Sequence, residues 1–322
     1  MEQSPRRFTC KRPRRSEFAL SEVTDALKNA VINNNNNSPS PAITKPVRGS
    51  MPVPGTQNKT CIEISIDFPD VLSNITCSEL LIELVKYILF MKEQIPYQYN
   101  QLKDGVDRKK RWDSEKLKVS SSSVAVDKPT AILAEKHYRK ACRAIEVLEN
   151  TFDSIRQDVG TADKFAVVIG ATVASPQELY LVELPQLLQV PQGSPPSRRC
   201  LTRLIRELMA SEGIQKLLGK SSHPTNTFLL LHKTGSSENS NFEPKPNYSL
   251  PQRTKRVVIK FKQPPNVEKP SNFQIYNDDE SEKMECESQL SRGIWFQPKS
   301  FVTGFKDCWI GDECATNIWM KV

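Results

Sequence analysis

Three histidines, His137, His223 and His232, are the side chains whose ordinary pKa suits them to act as bases near neutral pH, and none stands beside a serine or cysteine in a nucleophile motif. His137 falls at the edge of an apolar helical seam, the place for a packed structural imidazole. A triad drawn from distant parts of the chain would have to use one of these three, and nothing in their spacing recommends any of them. The glycines Gly160, Gly170, Gly193, Gly213 and Gly219 are separated singles, so neither a Walker loop nor a dinucleotide fingerprint can be drawn and ATP binding by this chain is not expected. Eight cysteines (Cys10, Cys61, Cys77, Cys142, Cys200, Cys286, Cys308, Cys314) have no pair two or three residues apart, which argues against a metal ribbon. The expectation is a chain that is not an enzyme and takes no cofactor or metal.

Charge is the next candidate. Lysine plus arginine number 45 against 37 acidic residues, a formal charge of +8, but Arg6, Arg7, Lys11, Arg12, Arg14 and Arg15 concentrate much of that excess at the N-terminus. Lys11, Arg12, Arg14 and Arg15 read equally as a nuclear import signal or as a solvated basic tail. Arg253, Lys255 and Arg256 could contact phosphates, yet single-strand binding also needs interleaved aromatic platforms, and the N-terminal cluster from Arg6 to Arg15 holds one aromatic, Phe8. A basic nuclear nucleic-acid-binding protein is therefore the alternative reading, not the first. No apolar signal core follows Met1, so a reducing compartment, free thiols and unused sequons at Asn58, Asn74 and Asn247 are expected. The longest apolar run, Leu80–Met91, holds Glu83 and Lys86 and is too short for a bilayer.

The elements that would position any site begin after a disordered basic, Asn- and Pro-rich tail, residues 1–58. Cys61–Phe68 alternates apolar and polar residues, the pattern of a half-buried strand. Thr76-Cys77-Ser78-Glu79 has capping-box spacing and predicts a helix running to about Met91, stopped by Pro96. Asp104–Lys128, charged and serine-rich, is expected to be a flexible loop. From Thr130 to Gln157, Ala134, Tyr138, Ala141, Ile145, Leu148, Phe152 and Ile155 step by four and three; this seam suits a long helix packed across a sheet better than a free coiled coil. Phe165–Gly170 reads as a central strand buried on both faces, and Gln177–Glu183 as the next. Thr227–His232 and Arg256–Phe261 are two more. Asn266–Ser291 is expected to be a second flexible loop, with order returning at Ile294-Trp295-Phe296-Gln297.

Ser197 after Ser194-Pro195-Pro196 should cap a third helix that runs to about Ser211, with Gly213 as its terminator. Leu201, Leu204, Ile205, Leu208 and Met209 fill an apolar stripe of about a hundred degrees or slightly more, while Arg198, Arg199, Arg203 and Arg206 make the rest cationic. Ile205 and Met209 are either core or the exposed edge of an interface whose rim is the arginines.

Three blocks in fixed order resemble one family. The first is Ser78-Glu79-Leu80-Leu81 continuing to Lys86-Tyr87-Ile88-Leu89-Phe90, Gln94-Ile95-Pro96 and Tyr99-Asn100-Gln101-Leu102-Lys103. The second is Cys200-Leu201-Thr202-Arg203-Leu204-Ile205-Arg206. The third joins Pro244-Lys245-Pro246-Asn247-Tyr248 to Ile294-Trp295-Phe296-Gln297-Pro298 and Gly304-Phe305-Lys306. Together, across about residues 60 to 307, they resemble the comet proteins, which bind the spindle-checkpoint protein Mad-two. The resemblance implies an α+β, HORMA-like fold: three helices on a mainly antiparallel sheet over residues 59–307, with a C-terminal segment folded back on its own domain. It leaves 308–322 as an extension.

It further implies a non-enzymatic adaptor that binds closed-form Mad-two and presents it to a Pch-type AAA+ ATPase, silencing the spindle assembly checkpoint in mitosis, in nucleus and cytoplasm and at the spindle or kinetochore. The partner-binding residues so implied are Met91 and, on the third helix, Arg198, Leu201, Ile205, Arg206 and Met209. Where the family pattern has a glutamine and a phenylalanine, this chain has Met91 and Ile205, which keep apolar area but lose a hydrogen bond and a ring.

Overall fold

The structure, a computed structural model, describes residues 61–119, 129–191, 193–234, 242–251, 254–264 and 293–321. The tail to residue 58, with Lys11, Arg12, Arg14 and Arg15, lies outside the described residues, as do 120–128 and the expected loop 266–291.

One eight-stranded sheet organises the domain. Its strands are β1 (Cys61–Asp67), β2 (Ala162–Gly170), β3 (Pro176–Glu183), β4 (Asn226–Lys233), β5 (Phe242–Lys245), β6 (Lys255–Lys262), β7 (Ile294–Pro298) and β8 (Val302–Thr303). They run in the order β1-β6-β3-β2-β4-β7-β5, with β8 also on β4. Only the β1–β6 and β6–β3 pairs are parallel, so the sheet is mainly antiparallel. β2, wholly apolar from Phe165 to Gly170, lies at the centre: Phe165, Val167 and Ile169 face the larger core, Ala166 and Val168 a smaller one on the opposite face. The two halves of the third family block, distant in sequence, are partners in space, with Pro244 opposite Phe296 and Lys245 opposite Trp295.

Helices cover the larger core. The first, α1 (Asn74–Met91), begins earlier than the capping box implied. Ser73 is its N-cap and accepts from the Thr76 amide at 3.1 Å. Thr76, inside the helix, turns its hydroxyl to accept from the Ser197 amide at 3.2 Å. Next comes α2 (Tyr99–Val119), which corrects the expected loop at 104–128, since residues up to 119 are helical. Tyr99, Leu102 and Val106 are its narrow buried stripe. The charged text after it is the outer face, with Lys109 Nζ 2.6 Å from Asp113 four residues on. The long helix α3 (Pro129–Asp158) buries its whole predicted seam, from Ala134 to Ile155, and packs on α1 and α2, as a core helix does.

The third predicted helix is α4 (Arg198–Ala210), capped by Ser197. Gly213 does not terminate it. The extended Ser211 ends α4 and starts a second short helix, α5 (Glu212–Leu218), within which Gly213 lies. After β8 the chain makes a small hairpin, β9 (Trp309–Ile310) with β10 (Glu313–Cys314), and a final helix α6 (Ala315–Met320), which packs against α2 and α3. Among the described residues no helix is long and apolar enough to cross a membrane.

Candidate partner-binding face

The sequence around α4 folds so that the helix is tied down at both ends. At its start, the Ser197 hydroxyl accepts from the Cys200 amide at 3.3 Å and donates to Asp70 Oδ2 at 2.6 Å. Asp70 Oδ1 stands 4.0 Å from Arg199 Nη1. At its far end, the Gln215 side-chain amide donates to Leu208 O and to Tyr87 Oη, both at 2.9 Å. Tyr87 lies one turn before Met91, so this single amide holds the end of α1 beside α4.

Between those anchors α4 presents three faces. Cys200, Leu204 and Leu208 are fully buried and fasten the helix to the core. Leu201 and Ile205 are half-buried and Met209 is 47% exposed, so the apolar stripe continues beyond what the core covers. Leu201 still packs on the main core, whereas Ile205 and Met209 belong to no core cluster. Neither residue is part of the core, and with Ile205 half-buried and Met209 exposed they form an open edge. Arg198 and Arg206 are exposed beside it.

Met91 is the last residue of α1, half-buried and packed on the core. Its neighbour Lys92 caps the helix and buries its ammonium completely. Nζ donates to Glu178 Oε1 at 2.8 Å, to Lys220 O at 2.7 Å and to Leu217 O at 3.2 Å. The other Glu178 oxygen accepts from Tyr180 Oη at 2.8 Å, and burial beside that carboxylate pushes the Tyr180 phenol well above its usual range. This network joins α1, β3 and the end of α5. Sequence reading singled out neither Lys92 nor Gln215; a lysine directly after an eighteen-residue apolar helix was the available signal for the first.

The histidines occupy structural places. His137 is buried and faces Trp319 and the Lys306 carbonyl, and His232 Nδ1 sits 2.5 Å from Asp163 Oδ1. The His223 carbonyl accepts from Gln94 at 3.4 Å. No serine hydroxyl or cysteine thiol is a partner of these rings among the described residues, nor does any acid, thiol and imidazole group there form a metal cluster. The geometry offers a rigid helix with an open apolar edge and a cationic rim, which is an arrangement for binding a protein surface.

An α+β domain of this topology, presenting such a helix, is a docking module with a HORMA-like fold. The family model described as "p31comet: Mad1 and Cdc20-bound-Mad2 binding" matches residues 44–276, and the chain belongs to that family. It is 24% identical over 200 residues to the mouse MAD2L1-binding protein, covering 61% of this chain and 68% of the relative. With the human MAD2L1-binding protein it is 26% identical over 199 residues, 61% and 69% of the two chains.

Proposed function

We propose that this protein is a non-enzymatic checkpoint adaptor that binds the closed form of Mad2 through α4 and the end of α1, and presents the complex to a Pch-type AAA+ ATPase so that the spindle assembly checkpoint is silenced. The observation that carries the reading is the open edge Leu201–Ile205–Met209 on a helix anchored at both ends. A preorganised apolar edge loses little entropy on docking, and a few central apolar residues supply most of the affinity of such interfaces. Ile205 and Met209 are the anchors, Met91 extends the contact area, and Arg198 and Arg206 form the rim. The family description and the names of the two relatives support Mad2 as the partner; the ATPase step follows from the resemblance in the sequence.

The test is titration of the full chain, wild type and Ile205→Asp, against closed Mad2 by calorimetry, with circular dichroism on both. Saturable binding that Ile205→Asp abolishes while the spectrum is unchanged supports the reading. Undiminished binding places the interface elsewhere on the domain, and absence of binding by the wild type removes Mad2 as the partner. Stimulation of Mad2 remodelling by the ATPase, measured with and without this chain, tests the second step.

A further inference from the structure

Beside the apolar edge, α4 turns a second surface to a cleft of about 540 Å³ where β1 ends. Phe68 and Pro69 form one wall, and Arg198, Arg199, Arg203 and Arg206 line the other. The four guanidiniums are not equivalent. Arg199 is balanced at 4.0 Å by Asp70, and Arg203 Nη2 lies 3.0 Å from Glu207. Arg198 and Arg206, on one row of the helix with Thr202 between them, have no carboxylate at ion-pair distance among the described residues. One carboxylate, Asp67, also lines the cleft.

The placement of these cations runs against the fold's own electrostatics. Arg198 and Arg199 occupy the first turn of α4, which holds no acidic residue, so they sit at the positive end of the helix dipole. An arriving anion would meet two guanidiniums that have no carboxylate partner among the described residues, one in the first turn of the helix and one two turns on. A single carboxylate can occupy one guanidinium fork; a phosphomonoester, with three acceptor oxygens and a charge of about −1.5 to −2, can occupy two. Pro69, over the buried ring of Phe68, gives the cleft its apolar side. A nucleic-acid strand would need a continuous cationic track with stacking platforms, whereas this is one closed cluster with one ring and an acidic residue in its lining.

We propose that this cleft binds a phosphoserine or phosphothreonine segment of a protein partner, with Arg198 and Arg206 as the phosphate ligands. The site abuts the apolar edge and shares Arg198 and Arg206 with its rim, but it does not require that edge to bind Mad2.

The test uses the full chain, immobilised, and an oriented peptide library with a fixed central phosphoserine beside its unphosphorylated twin, followed by fluorescence polarisation with the best retained phosphopeptide. A single-stranded oligonucleotide of equal charge is the competitor. The expected result is retention of the phosphorylated library alone and a loss of affinity of about tenfold or more for Arg198→Glu and for Arg206→Glu. Arg198→Glu should melt no lower than wild type, since it removes a cation from a helix N-terminus. Ile205→Ala, which adds no charge beside the arginines, should leave phosphopeptide binding intact while weakening Mad2 binding, which distinguishes the two activities. Equal retention of both libraries, tighter binding of the oligonucleotide, or undiminished affinity in both arginine variants would each overturn the proposal.

Discussion

The indole Nε1–H of Trp319 donates to Nδ1 of His137 at 3.1 Å, with both rings buried. The other ring nitrogen lies 3.3 Å from the Lys306 carbonyl, so the imidazole is neutral with its proton on Nε2. Phe305 meets the same ring edge-on at 5.4 Å, and Tyr138 lies tilted against Trp319 with ring centroids 5.3 Å apart. The last helix of the chain is thus docked on α3 through one histidine that must stay uncharged.

Burial lowers the His137 pKa from its ordinary 6.5, against the pull of Asp307 and the Lys306 carbonyl toward the charged form, with Lys140 adding to the lowering. Because the folded pKa lies below the unfolded one, the unfolded state binds more protons between them. The stabilisation is complete above about pH 6.5 and is lost as pH falls through the folded value. Protonation also sets an N–H against the Trp319 N–H. Hydrogen exchange in residues 309–321, corrected for intrinsic rates, should accelerate between pH 7.5 and 5.5, and His137→Gln should remove that pH dependence. Identical pH profiles in the two proteins would contradict this account.

Lys92 and Glu178 form an ion pair with almost no solvent access, the side chains being 0% and 8% exposed. Lys92→Met strands the Glu178 carboxylate beside the Tyr180 hydroxyl and takes a donor from the Lys220 and Leu217 carbonyls, of which Leu217 O keeps the Lys220 amide at 3.2 Å. The expected loss is about 3–5 kcal/mol in chemical denaturation. A Lys92→Met/Glu178→Met double variant should recover part of it, because the cost of the single change is an uncompensated buried charge. A single variant as stable as wild type would mean that the pair is solvated in solution.

Most of this architecture is legible in the residues, and its gaps have physical causes. The seam of α3 and the run Phe165–Ile169 are periodic and strongly apolar, and both elements form where expected. In α2, by contrast, Tyr99, Leu102 and Val106 are the large side chains that face the core among those described, so its charged length resembled a loop although lysine and arginine are good helix formers. Gly213 looked like a stop because glycine usually ends helices, but Ser211 had already bent the chain. The face of α4 could be read from its own sequence. Its open edge could not, because exposure of Ile205 and Met209 depends on where the core ends, and the arginine cleft needs the end of β1, about 130 residues earlier.

The backbone around Gly304 leaves no room for a side chain. A Cβ there would stand 2.7 Å from Thr225 O and 2.6 Å from Gln94 Oε1. Its own amide donates to Thr225 O at 2.8 Å, and the next amide, that of Phe305, donates to Gln94 O at 2.9 Å. Backbone cannot yield as a flexible side chain does, so Gly304→Ala should cost about 1–3 kcal/mol. Gly105→Ala faces only the Met320 side chain and should cost less. Thermal melts of the two variants make the comparison, and a larger loss at Gly105 would show that the C-terminal helix is the less forgiving neighbour.

Leu204 and Ile205 are adjacent on α4 yet should answer different questions. Leu204 is fully buried in the main core, and Leu204→Ala should lose about 2–5 kcal/mol of stability through lost burial and the cavity left behind. Ile205 is half-buried and outside every core cluster, so Ile205→Ala should change stability by less than about 1 kcal/mol. If Ile205 is an interface anchor, the same substitution should weaken Mad2 binding by about tenfold or more. Leu204→Ala, at a temperature where it remains folded, should bind with nearly wild-type affinity. Urea denaturation and calorimetric titration of both variants give a double dissociation of fold from docking, and the opposite pattern would assign Ile205 to the core and Leu204 to the interface.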